Sequence, residues 1–111
     1  MISAILYRKN GSFTGYHASG HSGYAEAGPD IVCAGVSVLG CTCVNAMESL
    51  LGVLVTVRAN EDGLLAFDLP VMEPDQSAGA QLLMGALGQG LSDLQEAYPG
   101  YLKFEIKERR K

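Results

Sequence analysis

The sequence predicts an α+β fold of order ββαββαβ, with a mostly antiparallel or mixed five-stranded sheet and two helices packed on one face. Three observations carry this expectation. Two long stretches repeat their apolar residues at helical spacing, five shorter runs alternate or are β-branched, and turn-forming residues separate the runs. With 111 residues and 48% hydrophobic content, a single domain over 1–111 is large enough to bury a core without metal or disulfide help.

Each element follows from its residues. MISAILYR opens as a strand, and Asn10-Gly11 is the dipeptide favoured in tight type I′ hairpin turns. SFTGYHAS is then the antiparallel partner, running up to Gly20. The segment SGYAEAGP, 22–29, has no period and reads as a loop. Pro29 suits the first turn of a helix, where its missing N–H costs no intrahelical bond. From there to about Leu51 the spacing is helical, with Val32, Val36, Leu39, Cys43, Met47 and Leu50 gathered on one side. Gly52 ends it. VLVTVRA (53–59) is a β-branched strand, NEDG (60–63) a turn and LLAFDL (64–69) a second strand. Pro70 and Pro74 bracket a short connection. DQSAGAQLLMGALGQGLSDLQEAY carries Leu83, Leu87, Leu91, Leu94 and Tyr98 at helical spacing. Gly79, Gly85, Gly88 and Gly90 each cost about 1 kcal/mol against alanine inside a helix, so close packing should explain them. Pro99-Gly100 stops the helix, and YLKFEIK alternates as a final strand.

Composition narrows the function. Eight basic and twelve acidic residues leave a net charge of −4, which disfavours direct nucleic-acid binding and suits a cationic peptide better. IVCAGVSVLGCTCVNAMESLLGVLV is about as long as a membrane span, yet it contains Glu48, which is costly at membrane depth. A core helix running into a strand is the better reading, with no membrane partner. MISAILYRKN lacks the charged and apolar regions of a secretion signal, and three cysteines is an odd count. A reduced, cytoplasmic thiol protein is therefore expected.

The chemistry concentrates in GHSGYAEAGPDIVCAGVS, 20–37. Cys33 falls in the first or second turn of the long helix, where unpaired N–H groups and the dipole favour a thiolate. Lowering a thiol pKa from about 8.5 to about 6 takes roughly 3.4 kcal/mol. The helix end supplies about 0.3–1 kcal/mol, or about 2 in a good site. A nearby imidazolium could supply the rest, and His21, at the end of the preceding strand, is the only histidine positioned beside a flexible loop. Asp30, Cys33 and Ser37 follow i, i+3, i+7 and lie within about 60° of one another, off the apolar face. Asp30 cannot favour the thiolate by charge, but it can cap the helix or hold His21 protonated. The plainer alternatives stay open: a core cysteine, a structural histidine, a first-turn carboxylate and a serine bonded to its own helix.

Cys41 and Cys43 do not fit a metal site, since a C-x-C pair in a helix diverges by about 200° and no other ligands complete it. Buried thiols are expected for both, with no metal or cofactor. Cys41 as the redox partner of Cys33 is disfavoured, because eight residues of helix span about 12 Å. His17, two side chains along the same strand face as His21, reads as a packing or surface residue or as support behind His21.

The stretch resembles the signature of the ribosomal-processing cysteine protease Prp family of Firmicutes and relatives. The matching residues are Gly20-His21, Gly28, Asp30-Ile31-Val32-Cys33-Ala34 and Val36-Ser37, with Gly35 where an alanine is common. Length and element order agree over most of the chain. The resemblance implies endoproteolysis by Cys33 as nucleophile and His21 as base. Gly20, Asp30 and Ser37 would support them, backbone N–H groups at the helix start would hold the oxyanion, and Ser22 to Pro29 would form a lid. It implies a substrate, the N-terminal segment of the precursor of large-subunit ribosomal protein bL-twenty-seven, cleaved after Phe. It also implies a homodimer. A non-enzymatic ribosome-assembly binding protein and a thiol redox protein are the alternatives.

Overall fold

Asn10 and Gly11 take φ of 52° and 82°, the left-handed pair that a type I′ turn requires, and so close the first hairpin as expected. The computed structural model describes residues 1–21 and 31–110. Its elements are β1 (Ile2–Lys9), β2 (Ser12–Ser19), α1 (Ile31–Leu51), β3 (Thr56–Glu61), β4 (Leu64–Asp68), α2 (Pro74–Ala97) and β5 (Leu102–Glu108). The sheet order is β3-β4-β2-β1-β5. Every neighbouring pair is antiparallel except β1 with β5, which run parallel from Ile2↔Leu102 to Arg8↔Glu108. The sheet is therefore mixed. Gln95 of α2 helps seat β5, its side-chain oxygen accepting the Phe104 N–H at 2.7 Å.

Alternation decides which sheet face is covered. Ile2, Ala4 and Leu6 of β1 are buried, and they join Tyr16, Ala18 and Phe67 in one cluster. Val32, Val36, Cys43 and Met47 of α1 complete it with Ala80, Met84, Leu87 and Leu91 of α2. Fully burying side chains such as Leu6, Met84 or Leu91 contributes about 1.5–3 kcal/mol each. Gln81 of α2 clamps β2 by accepting the Phe13 N–H at 2.7 Å and donating to the Phe13 carbonyl at 2.8 Å. These bonds satisfy strand groups that would otherwise be stranded beneath a helix.

The helix glycines do pack closely, with one exception. A Cβ at Gly79 would meet Leu51, one at Gly90 would meet Leu39, and one at Gly88 would meet Leu6, while Gly85 faces open space. The two helices thus approach through glycine notches filled by leucines. α1 is long and apolar enough to cross a membrane, yet its Val32–Val36–Cys43–Met47 stripe is embedded in the core.

The sequence reading needs correction at several points. The third strand begins at Thr56 rather than Val53, and it includes Asn60 and Glu61, which the composition placed in a turn. Val53 is instead a core residue, its N–H bonded to the Met47 carbonyl as the helix ends. The hairpin closes tightly, with Glu61 opposite Leu64, so only Asp62 and Gly63 remain in the turn. Pro74 opens α2 rather than preceding it. Leu50 is 71% exposed, because Leu51, filling the Gly79 notch, takes the inward place in the last turn of α1.

Candidate active site

Val32 and Val36 anchor the start of α1 in the core, and this fixes where the neighbouring side chains point. Cys33 is left half-buried in the first turn, and Cys33, Ser37 and Cys41, spaced four residues apart, line one cleft. The cleft measures about 70 Å³ and is mainly apolar, with Ala18, Val36 and Leu65 among its walls and Asn60 and Glu61 adding polar edges.

The end of β2 brings the histidine to this place. Gly20 has φ of 99°, and a Cβ there would fall 2.7 Å from the Met1 carbonyl oxygen, so only glycine allows the strand to leave the sheet here. His21 follows directly. Its Nδ1 lies 3.9 Å from Cys33 Sγ, within reach of a thiol–imidazole contact. The proximity expected from residue types alone is thus present in the fold, across twelve positions of sequence.

Other expected residues fall differently. Ser37 is exposed and lines the cleft one turn beyond Cys33. Asp30 and the loop Ser22 to Pro29 lie outside the described residues. His17 pairs with Ile5 and Ala66 on the sheet face away from the helices, and the left-handed turn at Gly20 breaks the alternation that would have put it beside His21. Cys41 is exposed rather than buried, because its place on α1 continues the Cys33–Ser37 line instead of the apolar stripe. Among the described residues, no group of three or more His, Cys, Asp or Glu side chains is arranged to hold a metal ion.

The thiols differ sharply in environment. Cys43 is buried, touching Met84 Sδ and the Leu83 carbonyl, and burial pushes its thiol up to about 11. Burial likewise raises the Tyr16 hydroxyl far above its ordinary value, with Cys43 and Cys41 adding to the effect. Both groups stay protonated at neutral pH. Brief iodoacetamide treatment at neutral pH is therefore expected to modify Cys41 and Cys33 and to spare Cys43 until the protein unfolds. Peptide mass spectrometry reads this directly, and rapid labelling of Cys43 in the folded protein would contradict its placement.

Sequence reasoning missed the part played by the β3–β4 hairpin. Asn60, Glu61, Gly63 and Leu64 border the same cleft as Cys33. The Gly63 carbonyl accepts the Gly20 N–H at 2.9 Å, and the Gly63 backbone lies against the His21 ring. The Asp-Gly dipeptide signals a turn, but nothing local says which residue the turn will touch.

A cysteine in the first turn of a helix, its sulfur facing an imidazole at the mouth of a cleft, is the arrangement of a thiol-dependent hydrolase. Comparison with known proteins agrees with that class. The chain belongs to the cysteine protease Prp family, whose model matches residues 1–103. It is 31% identical over 106 residues to the ribosomal processing cysteine protease Prp of Bacillus subtilis (strain 168), covering 93% of this chain and 95% of that one. A Streptococcus mutans protein of known structure superposes with a TM-score of 0.84 at 33% identity, covering 98% of this chain and 96% of the other. The essential ribosomal processing protease Prp from S. aureus, solved with a covalently linked product peptide, superposes with a TM-score of 0.85 at 26% identity. That match covers 96% of this chain and 100% of the S. aureus chain.

Proposed function

We propose that this chain is a cytoplasmic endopeptidase working through a Cys33–His21 dyad. Its substrate is the precursor of large-subunit ribosomal protein bL-twenty-seven, from which it removes the N-terminal extension by cutting after a Phe. The observation that carries the reading is the 3.9 Å approach of Cys33 Sγ to His21 Nδ1 beside a cleft, in a chain of a cysteine protease family. The peptide held covalently by the S. aureus relative supports the same chemistry. The apolar cleft walls suit an apolar side chain next to the scissile bond.

In this mechanism Cys33 Sγ attacks the scissile carbonyl carbon as its proton passes to His21 Nδ1. The positive end of the α1 dipole faces the oxyanion that forms. When the C–N bond breaks, Nδ1 returns its proton to the departing amine, leaving a thioester on Cys33. Water, giving a proton to the same nitrogen, then attacks the thioester carbon; the C–S bond breaks, the acid product leaves and Nδ1 returns the proton to Cys33 Sγ. Asp30 orients His21 and Ser37 supports the site beside Cys33. No cofactor enters this cycle. The protein acts as a homodimer, to which the apolar groove between α1 and α2, where Val38 is 63% exposed, offers a contact.

A dithiol redox role for Cys33 and Cys41 is disfavoured by geometry. Although both line the cleft, they stand on one continuous helix about 12 Å apart along its axis, beyond disulfide reach. The test of the protease reading is direct. A synthetic peptide spanning the precursor junction should be cut by the purified protein into two fragments, the N-terminal one ending in Phe. Intact peptide after prolonged incubation with folded protein would refute the reading.

A further inference from the structure

We propose that the tip of the β3–β4 hairpin is the platform that holds the His21 imidazole in register with Cys33, with Gly63 as its positioning residue; this rests on the dyad reading above. His21 is exposed and follows a strand that has just left the sheet, so β2 alone does little to fix its ring. Two contacts from the hairpin tip supply what is missing. The Gly20 N–H donates to the Gly63 carbonyl at 2.9 Å, tying the residue before His21 to the turn. The ring itself stands beside Gly63, so closely that a Cβ there would lie 2.9 Å from Nε2 and 3.4 Å from Cε1. The ring thus has Gly63 against its Nε2 edge and Cys33 Sγ beyond Nδ1.

Gly63 meets two demands that no other residue meets together. Its φ of 75° lets the chain turn between Glu61 and Leu64, and its missing side chain leaves room for the ring. Any Cβ must push the imidazole aside or open the hairpin. Displacing a catalytic group by about 1 Å can cost up to about 100-fold in rate. Asn60, Glu61 and Leu65 would still line the cleft, so the loss should fall on kcat rather than on KM.

The fold provides its own controls. Gly11 and Gly100 also have left-handed φ, 82° and 90°, yet a Cβ at either meets nothing within 4 Å. Alanine at those positions reports backbone strain alone. Gly63→Ala adds the collision with His21, and Gly63→Asn keeps the collision with less strain, since asparagine tolerates this region. The expected result is a kcat lower by about 10- to 100-fold in both Gly63 variants, with KM within about threefold and Gly11→Ala and Gly100→Ala near wild type. The His21 ring signals in NMR spectra should shift in the Gly63 variants while those of His17 stay in place. In the unmodified protein, a nuclear Overhauser contact between the Gly63 α-protons and the His21 ring is expected even if neither variant folds.

Absence of that contact overturns the proposal. So does a Gly63→Asn enzyme as active as Gly100→Ala while His21→Ala is inactive, a result that leaves the dyad standing. Full activity in His21→Ala overturns both the dyad and the positioning role, which separates the two failures.

Discussion

Cys33→Ala is expected to remove cleavage of the precursor-junction peptide, lowering kcat on the order of 10⁴-fold or more. In the proposed mechanism the sulfur is the atom that bonds to the substrate, and no other described side chain is placed to replace it. Ser37 and Cys41 line the cleft, but they lie about 6 Å and about 12 Å further along the helix axis, away from His21 Nδ1. The substitution removes one half-buried atom, so the thermal unfolding midpoint should change little. A folded Cys33→Ala protein that still cuts the peptide at the wild-type rate would exclude Cys33 as the nucleophile.

His21→Ala should lower kcat by about 10²- to 10⁴-fold, the range for losing a positioned acid–base group. The residual rate reflects thiolate formed without help, together with the helix-end field at the oxyanion. Since the apolar walls of the cleft are unaltered, KM should move far less than kcat. Added imidazole should restore part of the rate, because the exposed position of His21 leaves access for a small base beside Cys33. His17→Ala is the matched comparison: His17 sits on the other sheet face, and its loss should leave turnover unchanged. Equal effects of the two histidine substitutions would show that His21 acts through structure and not through proton transfer.

Much of this architecture is legible in local sequence. Asn10-Gly11 announces the first hairpin because few other dipeptides accept two left-handed residues in succession. The Val32–Val36–Cys43–Met47 stripe announces the buried face of α1 because a helix repeats its direction at that spacing. The same geometry separates Cys33 and Ser37 from that stripe, marking a line that packing does not explain. Local composition misleads where strand pairing overrides it. Asn60 and Glu61 look like turn residues, but pairing with Leu65 and Leu64 holds them in β3. Cys41 looks like a small core residue, but its angular position on α1 carries it into the cleft.

The chain's local chemistry by itself determines the seven elements, the placing of a thiol at a helix start and the placing of an imidazole at a strand end, because periodicity, turn preference and helix termini act over a few residues. Only the tertiary structure decides that β5 runs parallel beside β1, that His21 faces Cys33, and that Gly63 lies beside Nε2 of the His21 ring. Those relations join residues far apart in the chain. They are set by which faces bury against one another, and a turn made of Asp62 and Gly63 would read the same wherever the sheet had put it.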